Sequence, residues 1–291
     1  MKKIVILGCE NSHADTFLDI CQNDPTYSDV EVLGVYSEEN EEALKLKEKF
    51  GVYVMNSYDE FVGKVDGVIV TARHGANHFK FAKPYLESGV PMFIDKPITI
   101  DENEAVEFMR LARSYGVKLT GGSSCKLDPF VQELKEDALK AVDGKTLGGF
   151  VRAPLECDPK YGGFFFYAAH MVEIVSEIFG LYPKSVIATD NGGTKNVIFR
   201  YGEFDVQGLF VENIFRYYVS RCSETMVKGK AVPDVNWRPC FKMEFKEFYD
   251  LLCGGKMKVE YKDFIAPVFT MNAVYRAISS KKEEKVNDFV L

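Results

Sequence analysis

The chain has no apolar run long enough to cross a membrane. Its first such run, Ile4 to Leu7, is ended by Gly8 and soon by Glu10, far short of a signal-peptide core, so a cytoplasmic protein is expected. It also has no excess of basic charge. Lysine and arginine number 36 against 43 acidic residues, for a net charge of −7, and no basic cluster is placed to track a phosphate backbone. Nucleic acid is excluded as a partner on that ground. Cys9, Cys21, Cys125, Cys157, Cys222, Cys240 and Cys253 include no C-x-x-C pair, which fits neither a zinc site nor a compact disulfide framework and leaves reduced thiols. Internal repeats and low-complexity linkers are missing too. What is there is core: 46% hydrophobic residues with 23 Phe and 15 Tyr, in 291 residues that suit two domains at about 150 each.

Up to about residue 122, short β-type runs alternate with amphipathic segments. The runs are Lys3 to Gly8, Val30 to Tyr36, Gly67 to Ala72, Pro91 to Asp95 and Val117 to Gly122; helical patterns cover His13 to Cys21, Glu39 to Phe50, His78 to Ser88 and Asp101 to Tyr115. In the last, Ala105, Phe108, Met109 and Ala112 recur at spacings of three and four, which places them on one helix face. Strand and helix repeated in this way build a doubly wound, Rossmann-like parallel sheet, whose ligands sit at the carboxyl ends of the strands. After Asp128-Pro129 and a helix to about Val142, alternating stretches joined by Gly, Asn and Asp turns predict antiparallel hairpins, with helices at Phe165 to Phe179, Phe241 to Cys253 and Asp263 to Ser279. The charged run after that last helix reads as solvated. The division is therefore residues 1–122, a dinucleotide-binding domain, and residues 123–291, an α+β domain with a mostly antiparallel open sheet, whose final helix can pack back on the first domain.

The first strand ends in "GCENSH", where a dinucleotide fingerprint would place three glycines. Gly8 is the first of them; Glu10 and His13 stand at the second and third. An acid beside a pyrophosphate repels it unless it points away, and a Rossmann-like domain without a nucleotide remains open at this stage. The second strand ends at Ser37, where an acid would hold the ribose hydroxyls of NAD; Glu38 or Glu39 can substitute, and no arginine suited to a 2′-phosphate follows before Arg73. NAD is favoured over NADP on this basis. Thr71 to His78 and Asp95 to Pro97 fall at strand carboxyl ends, and a lysine locked against a proline there is no casual surface lysine. His74 and His78, four apart, suggest metal ligation, but no carboxylate or cysteine completes a set.

From "VDGVIVTARHGANHFKFAKPYLESGVPMFIDKP" through "GGSSCKLDP", "GGFFFYAAHMVEI" and "EIFGLYPKSVIA" to "FKEFYDLL", the chain resembles the Gfo/Idh/MocA oxidoreductase family. The resemblance implies that Lys96 is the family's E-K-P lysine, which binds the substrate hydroxyl and assists proton transfer, with Asp95 in place of the glutamate and touching the nicotinamide ribose. It implies that His78 is the loop histidine before that motif. His170 matches the histidine that faces substrate from the second domain, Glu173 takes the acidic position after it, and Lys126 is similar to a basic substrate-domain residue. One departure is that the family's aspartate, four residues before the histidine, falls on Phe166. Tyr167, three before His170 and on the same helix face, is the replacement acid or hydrogen-bond donor. The resemblance also implies a homodimer through the open sheet.

These readings lead to an NAD(P)-dependent oxidoreductase acting on a secondary alcohol or ketone of a sugar, polyol or related small molecule. The catalytic candidates are Lys96, His170 and Tyr167, and Lys126 joins them in holding substrate. The cofactor candidates are Gly8, Cys9, Glu10, Asn11, Ser12, His13, Ser37, Glu38, Thr71, Ala72, Arg73, His78, Asp95 and Lys96, with the N–H groups of Cys9 to Ser12 cradling the pyrophosphate at a helix N-terminus. No metal is expected. Two rivals remain: a ligand- or cofactor-sensing protein of this fold without catalysis, and an NAD-dependent glycoside hydrolase suggested by the Tyr167 and His170 pair.

Overall fold

A computed structural model describes residues 1–232 and 238–291. The first sheet consists of β1 (Lys2–Leu7), β2 (Val30–Tyr36), β3 (Gly67–Val70), β4 (Met92–Asp95) and β5 (Leu119–Gly122), all parallel, in the order β2-β1-β3-β4-β5. Its central strands β1, β3 and β4 are buried on both faces. Ile4, Ile6, Ile69 and Phe93 face one core, shared with Phe17 and Leu18 of α1 (Ser12–Asn23) and Ala43 and Leu46 of α2 (Asn40–Phe50). Their neighbours Val5, Leu7, Val68, Val70 and Ile94 face the other, shared with α3 (Ala76–Ala82) and with Ala105, Phe108, Met109 and Ala112 of α4 (Glu102–Ser114). The period of two along each strand thus divides the residues between two helical layers. The pattern from His78 to Ser88 is divided: α3 ends at Ala82 and a 3-10 turn, Lys83–Ser88, follows, because Pro84 has no N–H to continue an α-helix.

After β5 come α5 (Pro129–Lys140), β6 (Thr146–Leu155), α6 (Phe165–Phe179), β7 (Ser185–Asp190), β8 (Thr194–Arg200), β9 (Asp205–Glu212), β10 (Tyr217–Ser223), β11 (Val227–Val232), α7 (Arg238–Leu252), α8 (Tyr261–Ser280) and β12 (Glu284–Lys285). The second sheet runs β11-β10-β6-β9-β8-β7-β12, antiparallel except for the β6–β9 pair. The charged run read as solvated supplies β12, which pairs with β7. Apolar α6 packs on this sheet. By contrast α7 returns to the first sheet, where Phe245 and Phe248 join the α1 layer, while α8 joins both halves: Phe264, Ile265, Val268 and Phe269 enter the α4 layer, and Met271, Ala273, Val274 and Ala277 enter the core of the second sheet. No helix of the described residues is long and apolar enough to cross a membrane. The parallel sheet reverses its strand order between β1 and β3, so the crevice at their carboxyl ends is where this architecture receives ligands.

Candidate functional site

The turn after β1 is tied to the strands on either side. Gly8 has φ +80°, and a Cβ there would lie 2.4 Å from Ala72 Cα, so only glycine fits against the end of β3. Its carbonyl accepts from Thr71 Oγ1 at 2.8 Å, and the Gly8 and Cys9 amides both donate to Tyr36 O. Asn11 caps α1 by accepting from His13 N and Ala14 N, and its side-chain amide donates to Thr71 O. Of the four amides from Cys9 to Ser12, Cys9 is therefore committed within the protein. Those of Asn11 and Ser12 have no protein acceptor among the described residues.

The Glu10 carboxylate spans the ends of β2 and β3, accepting from Ser37 Oγ and from Arg73 N, both at 2.9 Å. Burial raises its pKa, and those two donors oppose the rise. A cavity of about 350 Å³ opens beside this turn, lined by Cys9, Glu10, Asn11, Ser12, Arg73 and Tyr161 among others. Its other acids have cations of their own: Asp15 pairs with Lys49, Glu42 with Lys45, and Glu39 with Lys160 of the loop before α6. Glu38 is exposed and pairs with Lys80 at 2.5 Å.

Lys96 follows the end of β4, 8% exposed, and is joined to Pro97 by a cis peptide. Its ammonium donates to Phe166 O at 3.3 Å and lies 4.8 Å and 5.4 Å from the ring centroids of Phe166 and Tyr167. Burial lowers its pKa, which Asp95 partly opposes. The Asp95 carboxylate is turned inward: it accepts the Lys96 amide, lies 3.4 Å from Asn11 Nδ2, and meets His13 Nδ1 at 3.3 Å. On its other side His13 Nε2 lies 3.6 Å from Glu244 of α7. His13 Nε2 and both Glu244 oxygens are buried without a hydrogen-bond partner.

His170, on α6, is buried on the other side of Tyr167 from Lys96. Its Nδ1 is 2.7 Å from Ser123 Oγ and 3.4 Å from Cys125 Sγ, and its ring centroid is 5.2 Å from that of Tyr167. Burial, with Lys96 and His13 adding to it, holds its pKa well below the usual value. The phenol of Tyr167 is pushed up to about 12 by burial. Lys126 donates to Gly121 O and to Glu173, which also accepts the Ser123 amide.

Residues 2–123 match the family described as "Oxidoreductase family, NAD-binding Rossmann fold". Over that stretch the chain is similar to the Gfo/Idh/MocA family. The chain is 25% identical over 142 residues to the uncharacterized oxidoreductase YhhX of Escherichia coli, covering 44% of this chain and 40% of that one. It is 27% identical over 132 residues to UDP-N-acetylglucosamine 3-dehydrogenase of Acidithiobacillus ferrooxidans, covering 44% and 42%. The matched stretch thus spans less than half the length of these relatives. In fold the likeness extends over the whole chain. The scyllo-inositol dehydrogenase of Lactobacillus casei, solved with NAD(H) and scyllo-inositol, superposes with a TM-score of 0.85 at 14% identity over 98% of this chain and 99% of that one.

Three of the expected cofactor residues are held inside the protein: Asp95, by its contacts with the Lys96 amide and His13, and two histidines. His78 is 0% exposed, with Nδ1 2.6 Å from Pro97 O and Nε2 2.7 Å from Ala72 O, so its ring is enclosed between the loops after β3 and β4. His13 is buried between α1, β4 and α7 and does not line the cavity at the turn. The third-glycine position carries a side chain because α7 offers it a carboxylate. Lys96, Tyr167 and His170 do converge, and Lys126 reaches the same region bound to Glu173. Sequence reasoning missed Ser123, Tyr161 and Glu244. Only Glu244 left a signal, as an acid among Cys240, Phe245, Phe248 and Leu251 on the buried stripe of α7. No cluster of His, Cys, Asp and Glu among the described residues could hold a metal.

Proposed function

We propose that this protein is an NAD-dependent dehydrogenase that oxidises a secondary alcohol of a sugar, polyol or related molecule, or reduces the matching ketone. The observation that carries the reading is the buried Lys96 ammonium at the carboxyl end of β4, packed against α6 beside Tyr167, whose ring in turn meets His170.

The turn fits a dinucleotide. The Asn11 and Ser12 amides head α1, where the helix dipole favours an anion, and the lining acids are each neutralised or hydrogen-bonded. At the end of β2 stand Ser37 and a Glu38 already paired with Lys80, with no arginine on that strand end to take a 2′-phosphate, which favours NAD. When bound, the nicotinamide supplies the hydride acceptor.

Lys96 then stabilises the alkoxide that develops on the substrate oxygen. His170 is neutral at pH 7 and accepts the hydroxyl proton at Nε2 when Nδ1–H donates to Ser123. Tyr167 stays protonated and orients that oxygen as a donor. Reduction of the ketone runs the same steps in reverse. Two copies associating through the open face of the second sheet, where Leu147 and Tyr218 are exposed, complete the reading.

Lys96→Met tests it: turnover is lost while NADH still quenches or gains fluorescence with near-native affinity. Undiminished turnover in that variant refutes the assignment. A tenfold preference for NADPH over NADH refutes the cofactor choice, and a monomer by sedimentation refutes the association.

A further inference from the structure

We infer, on the basis of that reading, that the substrate carries an anionic group, a carboxylate or phosphate, beside the hydroxyl that reacts. The argument begins with Phe166, which stands where the resemblance places an aspartate. Its ring is flanked by two cations, Lys96 Nζ at 4.8 Å from the centroid and Arg73 Cζ at 5.5 Å. Arg73 is also 4.6 Å from the ring of Tyr161.

Neither cation has an ion-pair partner among the described residues. Asp95 and Glu173 act on Lys96 only from a distance, since Asp95 is bonded to the Lys96 amide and His13, and Glu173 to Lys126 and Ser123. The Arg73 backbone serves Glu10, which leaves the guanidinium with aromatic faces alone. Aromatic faces stabilise a cation but do not neutralise it. Lys96 is buried, where a cation is ordinarily paired, Arg73 is half-buried, and the neighbouring Tyr167 and His170 bring no negative charge. The missing counter-charge is one that a ligand can supply. Lys96 is suited to the reacting oxygen, and the planar fork of Arg73 to a carboxylate or phosphate a few ångströms away.

Calorimetry on the protein saturated with NADH provides the test, using matched neutral hexoses, hexuronates and hexose phosphates. At least tenfold tighter binding of one anionic series than of its neutral counterparts is expected, and which series it is identifies the group. Equal or weaker binding of both anionic series overturns the inference.

Arg73 also borders the cavity at the α1 turn, so Arg73→Met is titrated with NADH as well. The anion preference should vanish, and the NADH titration of the same variant reads separately what Arg73 contributes at the cofactor cavity. Weakened NADH binding with the anion preference intact assigns Arg73 to the cofactor and overturns the inference. Phe166→Asp restores a carboxylate between the two cations and should lower affinity for the anionic series alone; unchanged selectivity in that variant also counts against it. Failure of NADH to bind wild-type protein would instead refute the dehydrogenase reading, and the anion comparison is then repeated without cofactor.

Discussion

Glu244→Gln should convert a pH-dependent instability into a flat profile. Glu244 is 2% exposed, both of its carboxylate oxygens lack a hydrogen bond, and the nearest cationic atom is His13 Nε2 at 3.6 Å. Burial raises its pKa from the ordinary 4.5 to about 7, against the pull of His13. A rise of that size corresponds to about 3 kcal/mol at ~1.4 kcal/mol per tenfold change in the ionisation constant. Because the folded-state value lies above the unfolded one, the stability contribution is fully present below pH 4.5 and is lost as pH rises through 7. His13 works in the same direction. Burial alone would lower its pKa, but Asp95 and Glu244 outweigh that and raise it, so its contribution also fades with rising pH. The two titrate as a pair. Glutamine cannot ionise, and it removes one of the carboxylates that hold His13 protonated. Urea unfolding of both proteins at intervals from pH 5 to pH 8.5 should therefore show the variant gaining on wild type by about 2–3 kcal/mol across the range. Two stability curves that stay parallel within about 0.5 kcal/mol would refute the account.

Other substitutions test the scaffold. His78→Ala leaves Ala72 O and Pro97 O buried without the ring and should lower stability by about 2–4 kcal/mol, read from chemical denaturation. Gly8→Ala drives a Cβ to 2.4 Å from Ala72 and should cost about 3 kcal/mol or more and abolish NADH binding. Gly51→Ala has a similar positive φ but open space around it, and should cost only about 1 kcal/mol with NADH binding unchanged.

The first sheet was legible because its signals are local. Each strand is a short apolar run, each helix has a stripe of spacing three and four, and the two periods alternate along the chain. Lys96, Tyr167 and His170 were legible for a related reason: a strand end and one helix face fix where they point. The second sheet was harder, since β6 pairs in parallel with a strand that follows it by about fifty residues, and β12 is a charged dipeptide made a strand only by its neighbour β7. The buried cluster could not be read at all in advance. His13 and Glu244 lie 231 positions apart, and only the return of α7 to the first sheet brings them together.

That return also helps explain how the turn after β1 carries side chains at two positions where a dinucleotide fingerprint has glycine. The second glycine lets a backbone approach a pyrophosphate and the third lets helix and strand approach each other. Here Glu10 leaves the approach path by bending onto Ser37 and the Arg73 amide, so its charge is held at the ends of β2 and β3. His13 would be too large for close helix packing, but it is received between Asp95 and Glu244, with the ring of Phe241 4.3 Å away. Gly8 has no such alternative, because its Cβ would strike backbone rather than a movable side chain. Of the three positions, the one whose Cβ would meet backbone keeps its glycine. The other two carry side chains for which the surrounding strands and α7 supply partners.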